Sequence, residues 1–136
     1  MVRLIMGGKG SGKTKQLIEM INNAAKDEPG NVVCIEASRT MTYDINYHIR
    51  LIDADEYKLN SYDLLRGFIS GLYAGNYDIT QVFIDNLCKI VGTGVNAETE
   101  EFLNWLDLFG ERNNIKFTAT ISAEVSEATD GMQKFL

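Results

Sequence analysis

Residues 7–14 read GGKGSGKT, with glycine at 7, 8, 10 and 12, lysine at 9 and 13, Ser11 and Thr14. That composition suits a chain of phosphates. Without Cβ atoms, backbone N–H groups can approach an anion closely, and glycine permits backbone angles closed to other residues. The spacing is G-x-x-x-x-G-K-[ST], with Gly7, Gly12, Lys13 and Thr14 at the fixed positions. In this pattern the stretch Gly8, Lys9, Gly10, Ser11, Gly12, Lys13 and Thr14 wraps the phosphates. Lys13 places its ammonium between the β- and γ-phosphates, and Thr14 gives its hydroxyl to Mg²⁺. A dinucleotide-type glycine loop is the weaker rival: Gly8-Lys9-Gly10 opens G-x-G, but position 13 is Lys rather than Gly.

A magnesium ion held beside phosphates wants a carboxylate at the end of a neighbouring strand. The apolar stretch Val82-Phe83-Ile84 ends in Asp85. At the C-terminal edge of a parallel sheet this carboxylate would face the crevice where ligands bind. Thr14 and Asp85 are therefore the expected metal-side residues, the latter through water.

These residues need a scaffold. Val2 to Met6 is a short apolar run ended by glycine, which predicts a buried strand. Leu17, Ile18, Ile21, Ala24 and Ala25 recur at helical spacing, which predicts a helix from about Gly12 to Lys26, stopped by Pro29 and Gly30. Val32 to Ile35 reads as a second buried strand. Ser38 to His48 is polar and rich in turn formers, hence a loop, and Ile49 to Asp53 reads as a short edge strand. Ser61 is a helix N-cap, with Leu64, Leu65, Phe68, Ile69, Leu72 and Tyr73 on one face and Gly75-Asn76 as the stop. Gln81 to Asp85 is another strand, and Gly92-Thr93-Gly94 a turn. Phe102, Leu103, Leu106 and Phe109 define a third helix, with Glu98, Glu100 and Glu101 near its positive end. Ile115 to Ser122 is a further strand; the polar tail from Ala123 carries no clear pattern. Strands alternating with helices imply parallel strands joined by right-handed crossovers. The expected fold is α/β, a three-layer α/β/α sandwich on a mainly parallel sheet of four to five strands, with residues 1–136 as one domain.

Bulk properties narrow the function. The 136 residues are 45% hydrophobic and 24% charged, ordinary for a soluble globular chain. No apolar run approaches the roughly 20 residues of a membrane span, and the N-terminus lacks a signal-peptide layout, so a cytoplasmic location is expected. A net charge of −6 argues against bulk nucleic-acid binding, which favours a basic face. Cys34 and Cys88 lie far apart with no C-x-x-C, which excludes a zinc ribbon, and both read as small buried hydrophobes. Trp105 reads as a packing residue, and of the tyrosines at 43, 47, 57, 62, 73 and 77 at least four read as packed or half-exposed, with one left that could stack on a base.

With GGKGSGKT and VFID in place, the chain resembles the P-loop NTPase superfamily, the first run as Walker A and the second as Walker B. Within it, the chain resembles minimal RecA-like and thymidine-kinase-like cores, and it is similar to short bacterial proteins labelled twitching-motility ATPases. The resemblance implies a nucleoside triphosphate with magnesium, and hydrolysis or phosphoryl transfer. The absence of an N/T-K-x-D base-reading motif favours ATP over GTP. It also implies that IKFTATIS is inserted between the two Walker strands, with Ser122 near the γ-phosphate.

Many related ATPases carry Glu directly after the Walker aspartate; here that residue is Asn86, which cannot accept a proton at neutral pH. Glu36, at the end of the second strand on the same sheet edge, is the substitute candidate, with Glu124 behind it. Lys13, Glu36 and Asp85 are thus the expected catalytic set. Lys9 and Arg39 are the local cations for the developing charge; failing these, an arginine of another subunit or of a protein partner completes the site. The leading expectation is an ATP-binding protein with slow or partner-stimulated Mg²⁺-dependent ATPase activity. The alternatives are a nucleotide-sensing module and a small nucleoside or metabolite kinase.

Overall fold

The computed structural model describes residues 1–38 and 44–136. Among these, the strands are β1 (Val2–Met6), β2 (Asn31–Glu36), β3 (Arg50–Asp53), β4 (Ile79–Asp85) and β5 (Lys116–Ile121). The helices are α1 (Lys13–Asp27), α2 (Tyr62–Gly75), α3 (Leu87–Val91) and α4 (Ala97–Asn113), followed by 3-10 turns at Val125–Glu127 and Asp130–Phe135. The sheet has the order β1-β5-β4-β2-β3, and every pairing is parallel. β3 lies at the sheet edge as expected. β5 enters between β1 and β4, as the resemblance implied.

Alternation along the strands builds two cores. Val33, Ile35, Val82, Ile84, Phe117 and Ala119 pack with Leu65 and Ile69 of α2 and Phe102, Leu103 and Leu106 of α4. Their neighbours Val32, Cys34 and Phe83 pack on the other face against Leu17, Ile21 and Ala24 of α1. Strand side chains point to opposite faces in turn, so a strand buried on both sides reads as a continuous apolar run. The result is the expected three-layer α/β/α arrangement, with α1 on one face and α2 and α4 on the other.

The starts of α2 and α4 are capped by local side chains. Ser61 Oγ accepts from Leu64 N at 3.1 Å. Asn96 and Thr99 form a reciprocal capping box at α4. The expected strand, helix and turn signals hold with shifts of one or two residues at their ends. Leu64 departs from the expected apolar face: it is 51% exposed. It follows Asp63 in the first turn, and its neighbour Leu65 takes the inward position. Consecutive helical residues are about 100° apart, so both cannot face the core. The tail is ordered by its apolar end, since Met132 and Phe135 are buried in the core beside β1 and α4. Trp105 is half-buried and stacks on Phe109 at 4.8 Å, as a packing residue should.

Candidate functional site

β1 delivers the chain into the glycine loop, and α1 leaves it. Ser11 N donates to Gly8 O at 3.1 Å, closing a turn inside the loop. Gly10 and Gly12 take φ of +84° and +85°. This is the left-handed region, where a Cβ atom crowds the following carbonyl. Those two angles bend the backbone so that α1 starts at Lys13 with Gly12 as its N-cap. Gly12 offers no side-chain acceptor, and the first turn of α1 carries no acidic residue. The helix therefore presents N–H donors and its positive end with no carboxylate of its own against them, a suitable seat for an anion.

Lys13 is folded over its own loop. Its Nζ donates to Gly8 O at 2.9 Å and lies 3.3 Å from Ser11 Oγ. Lys9, Gly10, Ser11, Gly12 and Thr14 are exposed, so the loop opens to solvent. Lys9 lies in this exposed stretch.

Across the sheet edge, the ends of three strands are in register. Glu36 of β2 is the partner of Asp85 of β4 on one side and of Asp53 of β3 on the other. By the alternation that puts Cys34 and Phe83 against α1, Glu36 and Asp85 lie on that same face, two residues further along. Asp85 is half-buried, while Glu36 is 0% exposed. Burial pushes the Asp85 carboxyl up. The Thr120 hydroxyl and the charges of Lys13 and Lys89 pull it partly back. The Lys13 contribution shows that the glycine loop and the end of β4 are close enough to interact through charge. Beneath them, burial raises the Cys34 thiol well above its usual range, and the Asp85 and Glu36 charges add to the rise. Cys34 is thus an inert buried thiol, as expected, whereas Cys88 is only half-buried.

Thr120 of β5 was not singled out by the sequence. Its Oγ1 donates to Asp85 Oδ1 at 2.9 Å and accepts from Asn86 N at 2.8 Å. The resemblance pointed instead to Ser122, which is exposed just beyond the strand. The period-2 pattern puts Thr118, Thr120 and Ser122 on one face, but the register of β5 against β4 selects Thr120. Asn86 adopts φ of 62° and is the N-cap residue of α3, a helix too short to register as a periodic pattern.

Glu124 and Glu36 reach different parts of the site. Glu124 comes from the segment after β5, and a Cβ atom built on Gly8 would collide with its Oε1. Glu36 stands beside Asp85 and lines a cleft of about 300 Å³ together with Arg50, Asp53, Glu56 and Tyr57. Arg39, the other candidate cation, lies outside the described residues.

Among the described residues no group of three or more His, Cys, Asp or Glu side chains is arranged to hold a metal ion. No helix among them is long and apolar enough to cross a membrane.

The five-stranded parallel sheet with helices on both faces defines an α/β fold. The chain is similar to the crystal structure of the flagellar accessory protein FlaH from Methanocaldococcus jannaschii, with a TM-score of 0.60 and 9% sequence identity. The match covers 98% of this chain and 65% of the FlaH chain, so this chain spans under two thirds of that protein. At that identity the likeness shows the fold alone. No family model matches the sequence, and no curated protein matches it.

Proposed function

We propose that the chain binds ATP with Mg²⁺ on the glycine loop and hydrolyses it slowly to ADP and phosphate. One observation carries the reading. An uncapped, acid-free helix start is delivered by two left-handed glycines, with the Lys13 ammonium folded over the same loop. The backbone N–H groups of residues 8–14 would take the phosphates. Lys13 would exchange its bond to Gly8 O for phosphate oxygens. Thr14 and Asp85 offer a hydroxyl and a carboxylate, hard oxygen donors that suit Mg²⁺ completed by phosphate oxygens and water. The metal would supply charge neutralisation on the phosphates.

Glu36 is the residue proposed to orient the attacking water and accept its proton as the bond to the leaving ADP oxygen breaks. Its full burial supports slow turnover, because a water must reach it first. A nucleotide-sensing role is the second reading. It is favoured by Asn86, which follows Asp85 and brings a carboxamide where a base would serve hydrolysis.

The test compares phosphate release by the purified protein and by Lys13→Ala, with ATP and Mg²⁺, alongside calorimetry. Turnover that Lys13→Ala abolishes supports the ATPase. ATP binding without turnover supports the sensor. Turnover only with an added nucleoside supports a kinase. No heat of binding at millimolar ATP with Mg²⁺ overturns the nucleotide reading.

A further inference from the structure

We infer that Thr120 is a positioning residue that locks the Asp85 carboxylate and the Asn86 turn into one unit anchored on β5. This rests on the reading of Asp85 as a metal-side carboxylate.

The hydroxyl of Thr120 uses its capacity in both directions. It donates to Asp85 Oδ1 at 2.9 Å and accepts the Asn86 N–H at 2.8 Å. Thr120 is 1% exposed, so water does not compete for either bond. A β-branched side chain in a strand has few χ1 choices, which fixes where the hydroxyl points. Among the described residues, Thr120 is the hydrogen-bond donor that the Asp85 carboxylate meets. With Oδ1 held by Thr120, Oδ2 is the oxygen presented to a metal-bound water. The bond to Asn86 holds the backbone just after Asp85, where φ turns to 62°. A left-handed non-glycine residue needs such support from its surroundings.

The placement of β5 gives the unit its reach. β5 pairs with β1 on one side and β4 on the other. Ile5, two residues before the glycine loop, is the register partner of Thr120. One rigid strand thus sets the distance between the loop and Asp85. A group that orients a metal ligand from behind is commonly worth 10–100-fold in metal affinity, as in zinc sites.

The experiment uses Thr120→Val, which removes the hydroxyl at nearly constant volume, and Thr120→Ser, which keeps it. Thr120→Ala serves if valine prevents folding. ATP affinity is measured by calorimetry in EDTA and across a Mg²⁺ titration, and amide hydrogen exchange at Asn86 is followed in the free protein. Removal of the hydroxyl is expected to raise the Mg²⁺ midpoint by about 10-fold, to leave ATP affinity in EDTA unchanged, and to speed exchange at Asn86. Thr120→Ser should restore the midpoint. An unmoved midpoint, or equal losses with and without Mg²⁺, overturns the positioning role. Unchanged exchange at Asn86 overturns the lock itself, even if the wild-type protein binds no ATP. Absence of ATP binding by wild type under both conditions instead overturns the nucleotide reading, and the metal role of Thr120 with it.

Discussion

Glu36 and Asp85 are register partners at the ends of β2 and β4, two carboxylates side by side on the face that α1 covers. The arrangement is costly for the empty protein. Burial raises the Asp85 carboxyl from its ordinary value of 3.8, so the native state binds that proton more tightly than the unfolded chain. Stability from this group is therefore present at low pH and is lost as pH rises through the native pKa. Asp85→Asn removes the buried charge and keeps an oxygen for Thr120. In EDTA it is expected to melt a few degrees above wild type at pH 7–8, a gap that closes as pH falls toward 3.8. Melting curves across that range decide it; a gap independent of pH would show that the ionised carboxylate is not the source.

The glycine loop makes a separate claim about backbone angle. A Cβ atom on Gly10 meets nothing within 4 Å. Its φ of +84° is nevertheless a conformation that alanine adopts at a penalty of about 1–2 kcal/mol. Gly10→Ala should therefore weaken ATP binding without any steric clash, and Gly10→Asn should weaken it less, since asparagine enters the left-handed region more readily. A greater loss for Gly10→Asn than for Gly10→Ala in calorimetry would place the cause in side-chain bulk instead.

Three helical glycines should respond with opposite signs. In α2, Cβ atoms on Gly67 and Gly71 would meet open space. Alanine at either position is expected to stabilise by about 0.5–1 kcal/mol in urea unfolding, through higher helix propensity and a less flexible unfolded chain. In α4, a Cβ on Gly110 would lie 2.5 Å from the Ile115 carbonyl oxygen. The backbone turns there from α4 into β5 and cannot yield easily, so Gly110→Ala is expected to destabilise by about 1–3 kcal/mol. A stabilising Gly110→Ala would contradict the close approach of β5 to α4.

Much of this architecture was legible in the chain, for reasons that particular residues expose. Val32 to Ile35 and Val82 to Ile84 are buried on both faces, and a continuous apolar run is what such a strand must look like. Gly7 to Thr14 was readable because the spacing carries its own mechanism. What escaped depended on strand order. Thr120 is one of several polar residues in IKFTATIS, and only the pairing of β5 with β4 sets it against Asp85. α3 escaped because five residues, Leu87–Val91, span barely more than one helical turn. Glu124 lies in the unpatterned tail, and its approach to Gly8 follows from the course of the chain beyond β5.

The two carboxylates at the sheet edge should separate chemically on mutation. Asp85 is assigned to the metal and Glu36 to the water, so each neutral amide should remove one function. Glu36→Gln keeps the size of a fully buried side chain. It cannot take a proton from water. General-base catalysis contributes typically 10²–10⁴-fold. Phosphate release by Glu36→Gln should therefore fall about 100-fold or more, with ATP affinity in Mg²⁺ preserved. Asp85→Asn should instead raise the Mg²⁺ requirement for binding and turnover together. Glu124→Gln is the comparison, because Glu124 lies against Gly8 in the loop. Should Glu124→Gln abolish turnover while Glu36→Gln leaves it intact, the base is the carboxylate at the loop. Should neither variant change turnover, water is activated without either side chain, and the assignment of Glu36 fails.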